Sequence, residues 1–111
     1  MRKRGLIVLL TMLSCANVNA SDIGLGTVKG IKVYDFGPDK STKIFLSDDA
    51  THKVLENCNG TGSISHTRDP DIRKKMVSIA MAAYMSGKKI RIYSSNATCE
   101  IDFIALQETR F

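Results

Sequence analysis

Tryptophan is absent from the 111-residue sequence, and tyrosine and phenylalanine together make up only 6% of it. Nucleic-acid sites stack bases on aromatic side chains, and sugar sites commonly stack a pyranose in the same way, so the chain has few such platforms. Histidine occurs twice, at His52 and His66, with no close-spaced ligand motif around them to suggest a metal site. The Ser–His, Cys–His and paired-acid arrangements needed for nucleophilic or general acid–base catalysis are missing as well. His66, beside Ser65 and near Asp69, is the one local cluster, and it reads as a surface-loop histidine. The chain is therefore read as a non-enzyme without metal or cofactor. Its longest apolar stretch, Gly5 to Ala16, counts 12 residues, whereas a bilayer-spanning helix needs roughly 20. No membrane span is expected.

What remains is ordinary globular material, 43% hydrophobic and 24% charged with eight glycines, enough for one domain. Residues 1–20 differ in kind. Arg2, Lys3 and Arg4 precede the apolar run, and Val18 and Ala20 supply a small-residue exit before Ser21. These are the three parts of a secretory signal peptide, with cleavage expected after Ala20 and the product secreted or periplasmic. Leu13, Ser14 and Cys15 loosely resemble a lipoprotein cleavage site, a weaker alternative because Met12 and Leu13 fit it poorly.

Cleavage changes the charge and the cysteine count. Residues 21–111 keep 13 of the 16 basic residues and all 11 acids, so the net charge falls from +5 to +2. That is little for a surface built to neutralise phosphates, and no nucleic-acid partner is expected. Two cysteines remain, Cys58 and Cys99, in a chain bound for an oxidising compartment, where a single disulfide is the expectation. Such a bridge closes a loop that the chain-entropy estimate values at roughly 4 kcal/mol.

The elements follow from pattern and punctuation. Gly26 to Asp35 alternates as a strand, with a slip near Gly30 that suggests a bulge. Phe36 to Asp39 makes a turn, and Thr42 to Ser47 forms the second strand of a hairpin. Asn59 to Gly62 is a tight turn, and Ser63 to Thr67 is expected as a third strand. Asp69, Pro70 and Asp71 cap and start a helix that runs to Ser86 and ends on Gly87. Two more strands are expected, Lys89 to Tyr93 and Cys99 to Gln107, the last one buried on both faces with Phe45 and Phe103 in the core.

Ile72, Met76, Ile79 and Ala83, widened by Ala80, Tyr84 and Val77, form the stripe expected to cover the sheet. Met81, Ala82 and Met85 lie on the opposite side, so the second half of the helix is apolar nearly all round. A small domain has no core for a second apolar face, and these three residues are read as an oligomer interface.

The order β-β-β-α-β-β, mainly β with one helix over residues 21–111, is that of the small OB-fold barrel. The helix residues Lys75 to Val77, Ala80 and Ala83 to Gly87, followed by Ile90, Arg91, Ile92 and Tyr93, carry a closer likeness. Over residues 69–93 the chain resembles the B subunits of the subtilase cytotoxin and typhoid toxin group. The resemblance implies a homopentameric ring, a toxin A subunit as partner, and recognition of host cell-surface glycans. It also places the helices around a central channel, with Arg73, Lys74 and Lys75 at one mouth. It assigns no ligand-binding residue on this chain. The alternative reading is a small periplasmic or secreted accessory protein of OB-like fold that binds a protein partner.

Overall fold

The computed structural model describes residues 21–111. The signal segment over residues 1–20, its cleavage after Ala20 and the motif at Cys15 lie outside the described residues. Strands and helix follow in the expected order: β1 (Ser21–Phe36), β2 (Asp39–Leu46), β3 (Thr61–Ser65), α1 (Pro70–Ser86), β4 (Lys89–Ser94) and β5 (Phe103–Leu106). A short 3-10 turn, Glu56–Cys58, precedes β3. The protein is mainly β, with one antiparallel five-stranded sheet in the order β3-β2-β1-β4-β5.

β1 holds the sheet together because it pairs with two strands in succession. Its first half pairs with β4 as far as Thr27 opposite Lys89, and its second half pairs with β2 from Val28 opposite Leu46. The register shifts between Val28 and Gly30, the slip visible in the sequence. β1 begins at Ser21 rather than Gly26. Its first half hides from a periodicity reading because Gly24 and Gly26 take positions where an added Cβ would lie 2.7 Å from Leu46 and Ala50.

The helix is bounded as its sequence requires. The Asp69 carboxylate accepts from the Ile72 N–H at 3.2 Å, and Pro70 opens the first turn. Gly87, at φ 73°, closes the helix with its N–H donating to the Ala83 carbonyl. Met76, Ala80 and Ala83 are the buried residues of α1. They join a core of six isoleucines with no exposed surface: Ile23, Ile44, Ile64, Ile90, Ile92 and Ile101. The sheet-facing stripe is narrower than the expected one. Val77 and Ile79 pack at its margins, but Ile72 and Tyr84 are 41% and 54% exposed. The two alanines seat the helix backbone close to the sheet, and side chains at the end and flank of the stripe reach past it.

The two outer edges of the sheet meet at one seam. Ser63 of β3 forms a parallel bridge with Glu100, ahead of β5. The Ser63 N–H donates to the Cys99 carbonyl and the Ile101 N–H donates to the Ser63 carbonyl, each at 2.8 Å. The expected disulfide, Cys58–Cys99, joins the same two segments with their Cα atoms 5.5 Å apart. Arg68 adds an ionic clip, its Nη2 lying 2.9 Å from both Glu100 and Asp102. Gly62 lets the segments close, since a Cβ there would sit 2.5 Å from Ile101 Cγ1. Along the rest of their length the sheet is open.

This seam corrects the expectation for the last strand. Residues 99–101 pair with β3, whereas Phe103–Leu106 pair with β4, and the bend between them at Asp102 changes which side chains face inward. Ile101 and Ile104 therefore both turn to the core, while Phe103, three-residue parity lost, lies on the outer face at 41% exposure. Phe45 is half-buried under the Lys32 ammonium, 5.1 Å from its ring.

Two substitutions test the seam. Replacing both Cys58 and Cys99 with alanine is expected to lower unfolding stability by about 2–4 kcal/mol. Gly62→Ala is expected to cost about 1–3 kcal/mol through overpacking against Ile101. Urea unfolding followed by circular dichroism measures both, and a Gly62→Ala midpoint equal to that of the parent would contradict the close packing at the seam.

Candidate functional site

An exposed apolar patch lies along one flank of α1. Met81, Tyr84 and Met85 stand over Gly30, Ile31 and Lys32 of β1 and line a hollow of about 510 Å³. Met81 is 49% exposed and Met85 80% exposed. A second hollow, of about 340 Å³, lies nearer the start of the helix, between Thr42 of β2 and Arg73, Lys74, Val77 and Ser78. Side chains four apart on a helix share a face, so Val77, Met81 and Met85 make one line along this flank.

Of the three residues read as an interface, Met81 and Met85 share the hollow. Ala82 is exposed but does not line it. Tyr84, expected on the sheet-facing side, and Ile31, a partly buried residue of β1, also line this hollow. Their signal was present only in the pairing of strand and helix, which periodicity does not encode. At the other end, Lys74 and Lys75 are exposed, but Arg73 is half-buried and donates to the His66 carbonyl at 2.7 Å. It ties the helix to the end of β3.

The structure separates the members of the histidine cluster. His66 Nε2 is 3.1 Å from Thr42 Oγ1, the Ser65 hydroxyl bonds to Thr67, and Asp69 is occupied as the helix cap.

A charged cluster that the sequence gives no hint of lies on the outer face of β4 and β5. The Asp22 side chain, 3% exposed, receives Arg91 Nε at 2.7 Å and Arg110 Nε at 2.5 Å on its two oxygens. The Arg91 guanidinium also lies over the Tyr93 and Phe103 rings, 5.4 Å and 5.3 Å from their centroids. Partners 69 and 88 residues apart in the chain explain why no local pattern reveals the cluster. Burial on its own raises the Asp22 pKa, but the hydrogen bonds and charges of Arg110 and Arg91 outweigh it and hold the carboxyl below its ordinary value. Asp102 behaves likewise: burial raises its pKa, and the Ser95 N–H and hydroxyl together with Arg68 outweigh it.

Among the described residues no helix is long and apolar enough to cross a membrane. Comparison of the chain with family models, curated proteins and solved structures finds no match.

Acid should weaken this protein in a definite window. A carboxyl whose pKa is lowered by folding contributes its full stability above its unfolded value, about 3.9 for aspartate, and loses it as pH falls through the folded value. Stability should therefore hold from pH 7 down to about 5 and decline below about 4. Asp22→Asn should be less stable at pH 7 and decline less steeply in acid. Urea midpoints measured across this range check the pattern, and identical acid slopes would contradict it.

Proposed function

We propose that this protein is a secreted or periplasmic, non-catalytic binding subunit of the toxin B-subunit kind, which assembles as a homopentameric ring and recognises host cell-surface glycans. The observation that carries the reading is the apolar flank of α1, where Met81, Tyr84 and Met85 lie open beside β1. A helix that has already given Met76, Ala80 and Ala83 to the core has no intramolecular use for a second apolar flank. Burial against a neighbouring copy removes that surface from water, and a heterologous contact of this kind closes into a ring when the rotation permits.

The strand order supports an OB-type barrel. β1 pairs with both β2 and β4, the helix connects β3 to β4, and the parallel bridge at Ser63 brings the first and last edges together. The disulfide accords with export to an oxidising compartment. The glycan and the toxin A subunit enter through the resemblance over residues 69–93. In this reading the exposed Lys74 and Lys75 stand at the channel mouth, where an A subunit would dock.

Light scattering on a sizing column tests the assembly. The mature protein is expected to run at about five subunits, and Met81→Lys combined with Met85→Glu is expected to yield a folded monomer, since two charges in a desolvated contact are costly. A parent protein that runs as a monomer at micromolar concentration overturns the ring and favours the accessory-protein reading. A glycan array probed with the parent protein tests the ligand class.

A further inference from the structure

The join between the two sheet edges depends on one covalent bond that lies beside solvent, and from this we infer a redox switch: a small thiol reduces the Cys58–Cys99 disulfide in the folded protein and thereby unlocks the seam between β3 and residues 99–101. Both cysteines line a surface hollow of about 200 Å³, which gives a thiolate a path to the bridge. Cys99 is half-buried whereas Cys58 is only 6% exposed, so attack falls on Cys99. Disulfides that solvent reaches are the labile and regulatory ones, in contrast to the shielded bridges of a purely structural kind.

In the first step the incoming thiolate forms an S–S bond to Cys99 Sγ, and Cys58 leaves as a thiolate that takes a proton from water. A second thiol then displaces Cys99 and departs with the first as a disulfide, so two electrons pass to the protein and both cysteines end as thiols. Little else crosses the seam. The bridge at Ser63 and Glu100 supplies two backbone hydrogen bonds, from Ser63 to Cys99 and from Ile101 to Ser63, and Arg68 reaches over to Glu100 and Asp102. By contrast, β1 pairs with β4 from Ser21 to Thr27 and with β2 from Val28 to Phe36, and neither ladder contains a cysteine. The disulfide ties residues 41 apart in sequence, and its loss returns chain entropy to the open form. The seam therefore opens while the rest of the sheet persists. Opening leaves the edge of β3 and residues 99–101 unpaired, and it takes Ile101, which has no exposed surface when the seam is closed, out of the core. The protein stays closed in an oxidising compartment and opens on meeting a reducing one.

Incubation of the folded protein with increasing reduced glutathione, quenched with N-ethylmaleimide and followed by mass spectrometry, tests access to the bridge. Reduction at a rate proportional to glutathione concentration is expected, with the trapped glutathione on Cys99. A rate independent of glutathione concentration, as when unfolding must come first, overturns the switch, and trapping on Cys58 alone overturns the assigned point of attack. Amide hydrogen exchange then reads the seam, both in the reduced protein and in Cys58→Ala combined with Cys99→Ala without any reductant. The Ser63 and Ile101 amides are expected to exchange about tenfold faster or more, while β1 and β4 keep their protection. Unchanged protection at Ser63 and Ile101 overturns the switch, and so does an equal loss of protection throughout the sheet.

Discussion

The contact between the two outer edges of the sheet is the constraint on which the rest of this structure depends. An open five-stranded sheet has two edges with unpaired backbone groups, and in a domain of this size it has little surface to cover them. Here Ser63 and the backbone of Cys99 and Ile101 satisfy one another, and the disulfide holds those segments in place. Ile101 can then complete the isoleucine core from the far side, a position available only because Gly62 carries no side chain. Polar groups outside the core reinforce the same join, with Arg68 shared between Glu100 and Asp102, and Asp102 in turn accepting from the Ser95 N–H and hydroxyl.

Closing the sheet at one end leaves the helix with a defined task and a surplus. Ala80 and Ala83 bring α1 close to the core, and Met76 fills the space beneath its first half. Contact so close is necessarily narrow, so the flank carrying Met81, Tyr84 and Met85 stays outside. The helix thus has two unlike sides: one completes the core, and the other leaves Met81, Tyr84 and Met85 exposed. The arginine cluster around Asp22 has a different character. Asp22 there fastens the start of β1 to β4 through Arg91 and to the chain near its last described residues through Arg110.

Much of the fold was legible in the sequence, and the reasons are local. The helix was readable to the residue because Asp69, Pro70 and Gly87 act within one turn of their positions. The bulge near Gly30 showed as a slip in alternation, and Asn59 and Gly60 marked their turn through the positive φ angles they adopt, 52° and 74°. The cysteine pair followed from a count. Legibility failed where a strand's surroundings come from distant chain. The first half of β1 is glycine-rich because Leu46 and Ala50 press against it, and the last strand was misread because its two parts pair with different neighbours.

The candidate surface divides in the same way. Met81 and Met85 could be singled out by helical periodicity, whereas Ile31 joins them only once β1 has been laid beside α1. By itself, the sequence determined the content and order of the elements, the ends of the helix and the pairing of its two cysteines, because capping, turn chemistry and alternation act over a few residues. Tertiary structure alone decided which edges of the sheet meet, which face Phe103 and Ile101 take, and how Asp22 finds two arginines. Those outcomes depend on contacts between residues far apart in the chain, and neither composition nor period carries information about them.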